Sequence, residues 1–271
     1  MKIVLTIALG FFLIACNQTQ KTTPEESSET TETTQIVENT TIEAFPKSIG
    51  PLFEAHGGIA QWRKMNNLCF EMIKESGNEV VTTDLNSRQT IIEHKDWTIG
   101  YDGVQVWLDQ KVADAYGGNA RFYHNLYFYF YAMPFIVSDP GINYGQLMDP
   151  LEVEGKRYRG AKISYGDGIG DSPDDEYIIY SDRETGKMTW LAYTVTFRSG
   201  EKSDNFRYIK YADWQEVNGL LLPKTLTWYN VEDGKPTTPR NSVSFDKVTA
   251  TETVLDATMF KMPDGATIAP R

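Results

Sequence analysis

Five carboxylates crowd the stretch YGDGIGDSPDDEY, residues 165–177: Asp167, Asp171, Asp174, Asp175 and Glu176, with glycines between them. Oxygen donors on tight glycine turns suit Ca²⁺, which takes about six to eight oxygens from flexible loops. The spacing is not that of an EF-hand, which demands a Glu at the loop's last position and a set Asp/Asn ladder. The stretch therefore reads as an acidic, solvated hairpin loop. Its five carboxylates stay as Ca²⁺ candidates, and no metal site is expected. The histidines are His56, His94 and His124. None is spaced as in H-x-x-x-H, so each is expected to have a structural role. His56 opens an HGG run like the oxyanion loop of some esterases, yet the chain has no G-x-S-x-G elbow. Neither a glycine-rich phosphate loop nor a dinucleotide fingerprint is present, so no cofactor is expected. A hydrolase built on paired carboxylates stays open, because such pairing is spatial and acidic residues are plentiful.

A second kind of chemistry is the holding of apolar matter. FYHNLYFYFYAMPF, residues 122–135, carries eight aromatic side chains in fourteen positions. Asn119 is placed to cap a helix there, and Pro134 to end it near Ala132. Such a helix is well short of a hydrocarbon core about 30 Å thick, and it holds Arg121, His124 and Asn125. A membrane span is excluded. A helix apolar on all faces must instead be enclosed, and a curved sheet is the simplest enclosure. Size and periodicity select Trp62, Phe122, Leu126, Tyr127, Phe130 and Phe135 as candidate walls of a ligand cavity. A filled core with no cavity is the alternative.

The N-terminus carries an address. One lysine precedes the apolar run IVLTIALGFFLIA, which ends in Leu13-Ile14-Ala15-Cys16. This resembles a bacterial lipobox, in which the chain is cut before the cysteine and the thiol takes a lipid. Residues 1–15 are then a lipoprotein signal peptide and Cys16 is the lipidation site. Asn17 rather than Asp follows, which favours the outer membrane. Cys69 would be the mature chain's lone thiol and is expected to be a small buried hydrophobe. Residues 16–44 are dominated by Thr, Ser and Glu and contain no aromatic residue. They cannot bury enough apolar surface to offset their conformational entropy, so an acidic, disordered tether is expected.

Residues 45–271 must position these groups. Ile49, Leu52, Phe53 and His56 follow helical spacing, Gly57-Gly58 interrupt it, and Ile59 and Trp62 resume it. From Leu68 the period becomes two, and runs at 79–85, 88–94, 97–102 and 104–108 read as strands. Seven more follow the aromatic helix, with turns at Glu184-Thr185-Gly186, Asn218-Gly219 and Asp233-Gly234. Strands in near-regular succession without intervening helices predict an antiparallel sheet. The net charge of −11 repels phosphate backbones, so nucleic acid is not an expected partner.

Four motifs together carry a resemblance: AHGG…W at the opening helix, MPF…DPG after the aromatic helix, YADWQEVNGLLLPKTLTWY, and the closing FKMPDGATI. The chain resembles an uncharacterised family of outer-membrane lipoproteins from Bacteroidota-type bacteria. More distantly, it is similar to the superfamily of periplasmic lipoprotein carriers and outer-membrane lipoprotein receptors. That resemblance implies a mainly β fold: a strongly curved antiparallel sheet, an unclosed barrel, with helices plugging its concave face. It also implies an apolar cavity for acyl chains between sheet and helices. The expectation is an outer-membrane lipoprotein that binds a hydrophobic or amphiphilic ligand, an acyl chain or a lipoprotein, without catalysis. Its expected partners are the membrane, through Cys16, and that ligand. An envelope scaffold with a filled core is the second reading, and the carboxylate hydrolase the third.

Overall fold

The computed structural model describes residues 45–166, 172 and 174–270. The signal peptide, Cys16 and the tether lie outside the described residues, as do Asp167 and Asp171. Two short helices open the fold, α1 (Gly50–Ala55) and α2 (Ile59–Trp62). Five strands follow: β1 (Asn67–Ile73), β2 (Glu79–Asp84), β3 (Thr90–Glu93), β4 (Trp97–Tyr101) and β5 (Val106–Gln110). After three helical segments the sheet resumes with β6 (Ile142–Val153), β7 (Lys156–Tyr165), β8 (Glu176–Asp182) and β9 (Met188–Tyr193). It ends with β10 (Arg207–Val217), β11 (Leu220–Glu232), β12 (Lys235–Thr251) and β13 (Thr267–Ile268). All pair antiparallel in one sheet of order β13-β5-β4-β3-β2-β1-β12-β11-β10-β9-β8-β7-β6. The two edge strands, β13 and β6, do not pair, so the barrel stays open.

The turns follow their sequences. Asn218-Gly219 and Asp233-Gly234 both take positive φ, and each closes a two-residue hairpin, with Val217 opposite Leu220 and Glu232 opposite Lys235. Asp102-Gly103 does not close a two-residue turn. The Asp102 carboxylate accepts from the Val104 and Gln105 amides at 2.9 and 2.8 Å, which makes a longer Asx-type loop and starts β5 two residues late. Gly57 explains the HGG run. Its φ is +101°, and a Cβ there would sit 2.1 Å from the Gly219 carbonyl oxygen. The opening helix thus rests backbone to backbone on the β10–β11 turn, where the Leu221 amide donates to the His56 carbonyl at 2.9 Å.

The aromatic stretch is helical but in three pieces: α3 (Ala120–His124), α4 (Leu126–Tyr131) and α5 (Met133–Ile136). Asn119 caps the first, its side-chain oxygen accepting from the Phe122 amide at 2.8 Å. Pro134 starts the third piece and leaves the Phe130 carbonyl, four residues earlier, without its helical donor. The Tyr211 hydroxyl donates to that carbonyl at 2.7 Å from β10. Tyr211→Phe should therefore lose about 1–3 kcal/mol, since it strands a buried carbonyl. Urea unfolding of the two proteins checks this. Among the described residues no helix is long and apolar enough to cross a membrane.

Packing proves the curvature. Helix α3 lies over β4 and β5. Helix α4 places Tyr131 against Phe70 of β1 and Phe245 of β12, and Phe130 against Tyr193 of β9. In a flat sheet β5 and β9 would stand eight places apart, about 38 Å at ~4.8 Å per strand. Residues 120–131 span about 18 Å even as one continuous helix. One short helical plug reaches both strands only because the sheet wraps around it. The main core lies on this concave side, built from Leu68, Phe70, Met72, Ile99, Leu191, Ile209 and Leu226 with the plug. Cys69 sits between two core residues and so points outward. It is half-buried against Thr82, where a small buried hydrophobe was expected.

Candidate functional site

The plug does not fill the half-barrel. A cavity of about 400 Å³ remains between α3–α5 and the β7–β9 part of the sheet. Phe122, Leu126, Tyr129, Phe130 and Met133 form its helical wall. They recur at helical spacing, so one stripe of the plug faces the space. Tyr165, Tyr177, Tyr193, Val195 and Phe197 form the opposite wall. Tyr177 pairs with Tyr193 across β8 and β9, which puts their side chains on one face of the sheet. Phe122 meets Phe197 with ring centroids 5.1 Å apart, and Phe130 meets Tyr193 at 4.8 Å. Burial pushes the Tyr165 and Tyr177 hydroxyls well above their usual range, so both stay neutral donors.

Polar groups enter at one side. Arg88, at φ +63° in the β2–β3 turn, reaches Asp139 beyond α5, with Nη2 2.5 Å from Oδ2. Its guanidinium also lies 5.4 Å from the centre of the Phe128 ring. Burial pushes the Asp139 carboxyl up, and the charge of Arg88 opposes this. Arg121 and Asp175 complete the charged lining. Asp175 is buried, and one oxygen accepts the Thr196 amide at 2.6 Å. Burial raises its carboxyl above the usual range against that hydrogen bond.

The structure brings together three of the six residues selected as wall, Phe122, Leu126 and Phe130. The other three lie elsewhere. Trp62 and Phe135 stack on one another, centroids 4.7 Å apart at 10°, inside the core beneath α1 and α2. Tyr127 lies on another side of the plug under the Lys74 ammonium, 4.5 Å from its ring centre. Lys74 pairs there with buried Glu79 at 2.9 Å, and Tyr123 donates to the same carboxylate at 2.5 Å. Size and periodicity could not separate the three sides, because all are aromatic.

Of the acidic stretch, Asp174 faces Lys202 at 3.9 Å, Glu176 pairs with Lys162 at 2.9 Å, and Asp175 turns into the cavity wall. Among the described residues no three His, Cys, Asp or Glu side chains gather to hold a metal ion. His94 stacks on Trp97, and His124 hydrogen-bonds the Arg121 carbonyl at 2.5 Å. Sequence reasoning missed Arg88, Asp139 and the cavity-facing role of Asp175. Asp139 lies in the MPF…DPG motif and Asp175 in the acidic stretch, whereas nothing local in the sequence marks Arg88.

An open, strongly curved antiparallel half-barrel with a plug of short helices and an apolar cavity defines the class of fold. The chain belongs to the family of unknown function DUF6503, which matches residues 73–244. No curated protein matches it in sequence. Similar solved structures include a DUF1329 family protein from Desulfovibrio piger, at TM-score 0.46 and 9% identity over 80% of this chain and 98% of that one. A LolA superfamily protein from Nitrosomonas europaea has a TM-score of 0.41 and 8% identity over 79% of this chain and 97% of that one.

Proposed function

We propose that this protein is an outer-membrane lipoprotein of the Bacteroidota type, held by a lipid on Cys16, that binds a hydrophobic or amphiphilic ligand without catalysis. The cavity of about 400 Å³ between plug and sheet carries this reading. It is concave, walled by aromatic and aliphatic side chains, and has a few polar groups at one side, as small-molecule sites usually are. At about 30 Å³ per heavy atom it holds on the order of a dozen of them. That matches one medium acyl chain, or the end of a longer one. The lipobox-like start of the sequence supports the anchor.

Native mass spectrometry tests this on the chain from Asn17 onward, purified without detergent, before and after organic extraction. The expected result is a lipid-sized adduct that disappears on extraction and returns on incubation with acyl lipid. Leu126→Trp fills the space from the helical wall without burying a charge. It should lower adduct occupancy at least about tenfold, because the indole takes space the ligand would fill, and a loss of about 1.4 kcal/mol in binding is tenfold in affinity. A clean apo mass that acyl lipids leave unchanged would sink the reading.

A further inference from the structure

One atom of a residue in the cavity wall is out of keeping with its surroundings. Arg88 Nη2 is bound to Asp139, but Nη1 is buried and has no hydrogen-bond partner among the described residues. A guanidinium keeps its charge at any physiological pH, so Nη1 is a permanently cationic donor in a mostly apolar wall. An unpartnered donor of that kind is costly unless something arrives to accept from it. The side chain is also held firmly in place, with Asp139 gripping one nitrogen and the Phe128 ring lying against its plane. The charged groups around it are Arg121 on the helical wall, Asp139, which is already paired and also feels the charge of Arg63, and Asp175, which takes the Thr196 amide.

Resting on the reading of the cavity as a ligand site, we propose that the ligand is an amphiphile with an anionic head and that Arg88 Nη1 binds that head. The tail lies between the stripe of Phe122, Leu126 and Phe130 and the Tyr177–Tyr193 wall. A carboxylate and a phosphate ester share the needed chemistry, since either offers oxygens to a guanidinium. Cavity volume favours a head with a tail of about ten carbons, a total near a dozen heavy atoms.

The test is calorimetric titration of decanoate, decyl phosphate, 1-decanol and decylamine into the chain from Asn17 onward, which retains every described residue. One or both anions should bind at least about tenfold tighter than decanol, the amine weakest, because a charge-assisted hydrogen bond outweighs a neutral one. The tighter of the two anions identifies the head. Arg88→Lys keeps a cation for Asp139, but its one ammonium nitrogen cannot also occupy the Nη1 position, and it should bring the anions to within about threefold of decanol. Equal binding of anions and alcohol, tightest binding of the amine, or an unchanged preference in folded Arg88→Lys overturns the inference and leaves the cavity reading standing. Failure of all four probes to bind overturns both. The wild-type comparison decides the matter even if the variant does not fold.

Discussion

Phe135→Ala is expected to lower the free energy of unfolding by about 3–5 kcal/mol and to leave the cavity's affinity for apolar ligands unchanged. Phe135 is fully buried, stacks on Trp62 and presents an edge to His56 at 6.3 Å. Its removal leaves a void between α1, α2 and α5 that the rigid turn at Gly57 prevents from closing, because that backbone already touches Gly219. A domain stable by about 5–15 kcal/mol would lose a large share of its stability. Leu126→Trp is the counterpart, with a small effect on stability and a large one on occupancy. Urea unfolding followed by tryptophan fluorescence, with the adduct measured on the same samples, separates the two. A loss under about 1 kcal/mol for Phe135→Ala would show that the Trp62 stack is not core. Loss of ligand from a folded Phe135→Ala protein would return that residue to the cavity wall.

That division of labour within the plug marks the limit of what the sequence displays. The strands were legible because one face of each is buried, so side chains alternate with period two through β1 and β2. The tight turns were legible because Asn218-Gly219 and Asp233-Gly234 name their own geometry. The plug was legible as a buried helix from its lack of any polar face, and its cap from Asn119. Its three sides were not, since Phe122, Tyr127 and Phe135 are all large aromatic residues and their separate roles depend on which elements lie opposite. Nor was the burial of both faces of β8 and β9. Trp190 and Tyr180 pack in a second apolar cluster on the side opposite Leu191 and Ile179, a consequence of how the sheet coils. Arg88 is the extreme case. A lone arginine in a Ser-Arg-Gln turn looks solvated, and only the return of the chain at Asp139 makes it part of a wall. Asp175 was hidden beside Asp174 and Glu176, which do face lysines.

Lowering the pH from 7 to 5 should cost the protein about 2 kcal/mol through His56 alone. The imidazole is fully buried, with Nδ1 2.7 Å from the Leu52 carbonyl and Trp214 4.6 Å from its ring centre. Nε2 has no partner among the described residues. Burial lowers its pKa from 6.5 to about 4, helped by the charge of Lys187 and opposed by the Leu52 hydrogen bond. Between those two values the unfolded chain takes up a proton that the folded one refuses. The contribution is therefore fully present above pH 6.5 and is lost progressively as the pH falls to about 4, where the total reaches about 3 kcal/mol. Nδ1 must carry the proton of the neutral ring, since its neighbour is a carbonyl oxygen, and a second proton on Nε2 would be a charge with nothing to receive it. His56→Asn keeps a donor for Leu52 and removes the titration. Urea unfolding of both proteins at pH 7 and pH 5 isolates the effect, because half-buried Asp139 and buried Asp175 have raised pKa values and act in the opposite sense in both. The wild type should lose about 2 kcal/mol more than the variant over that interval. Equal losses would mean that His56 is protonated in the fold, and that water or a ligand reaches Nε2 from the plug side.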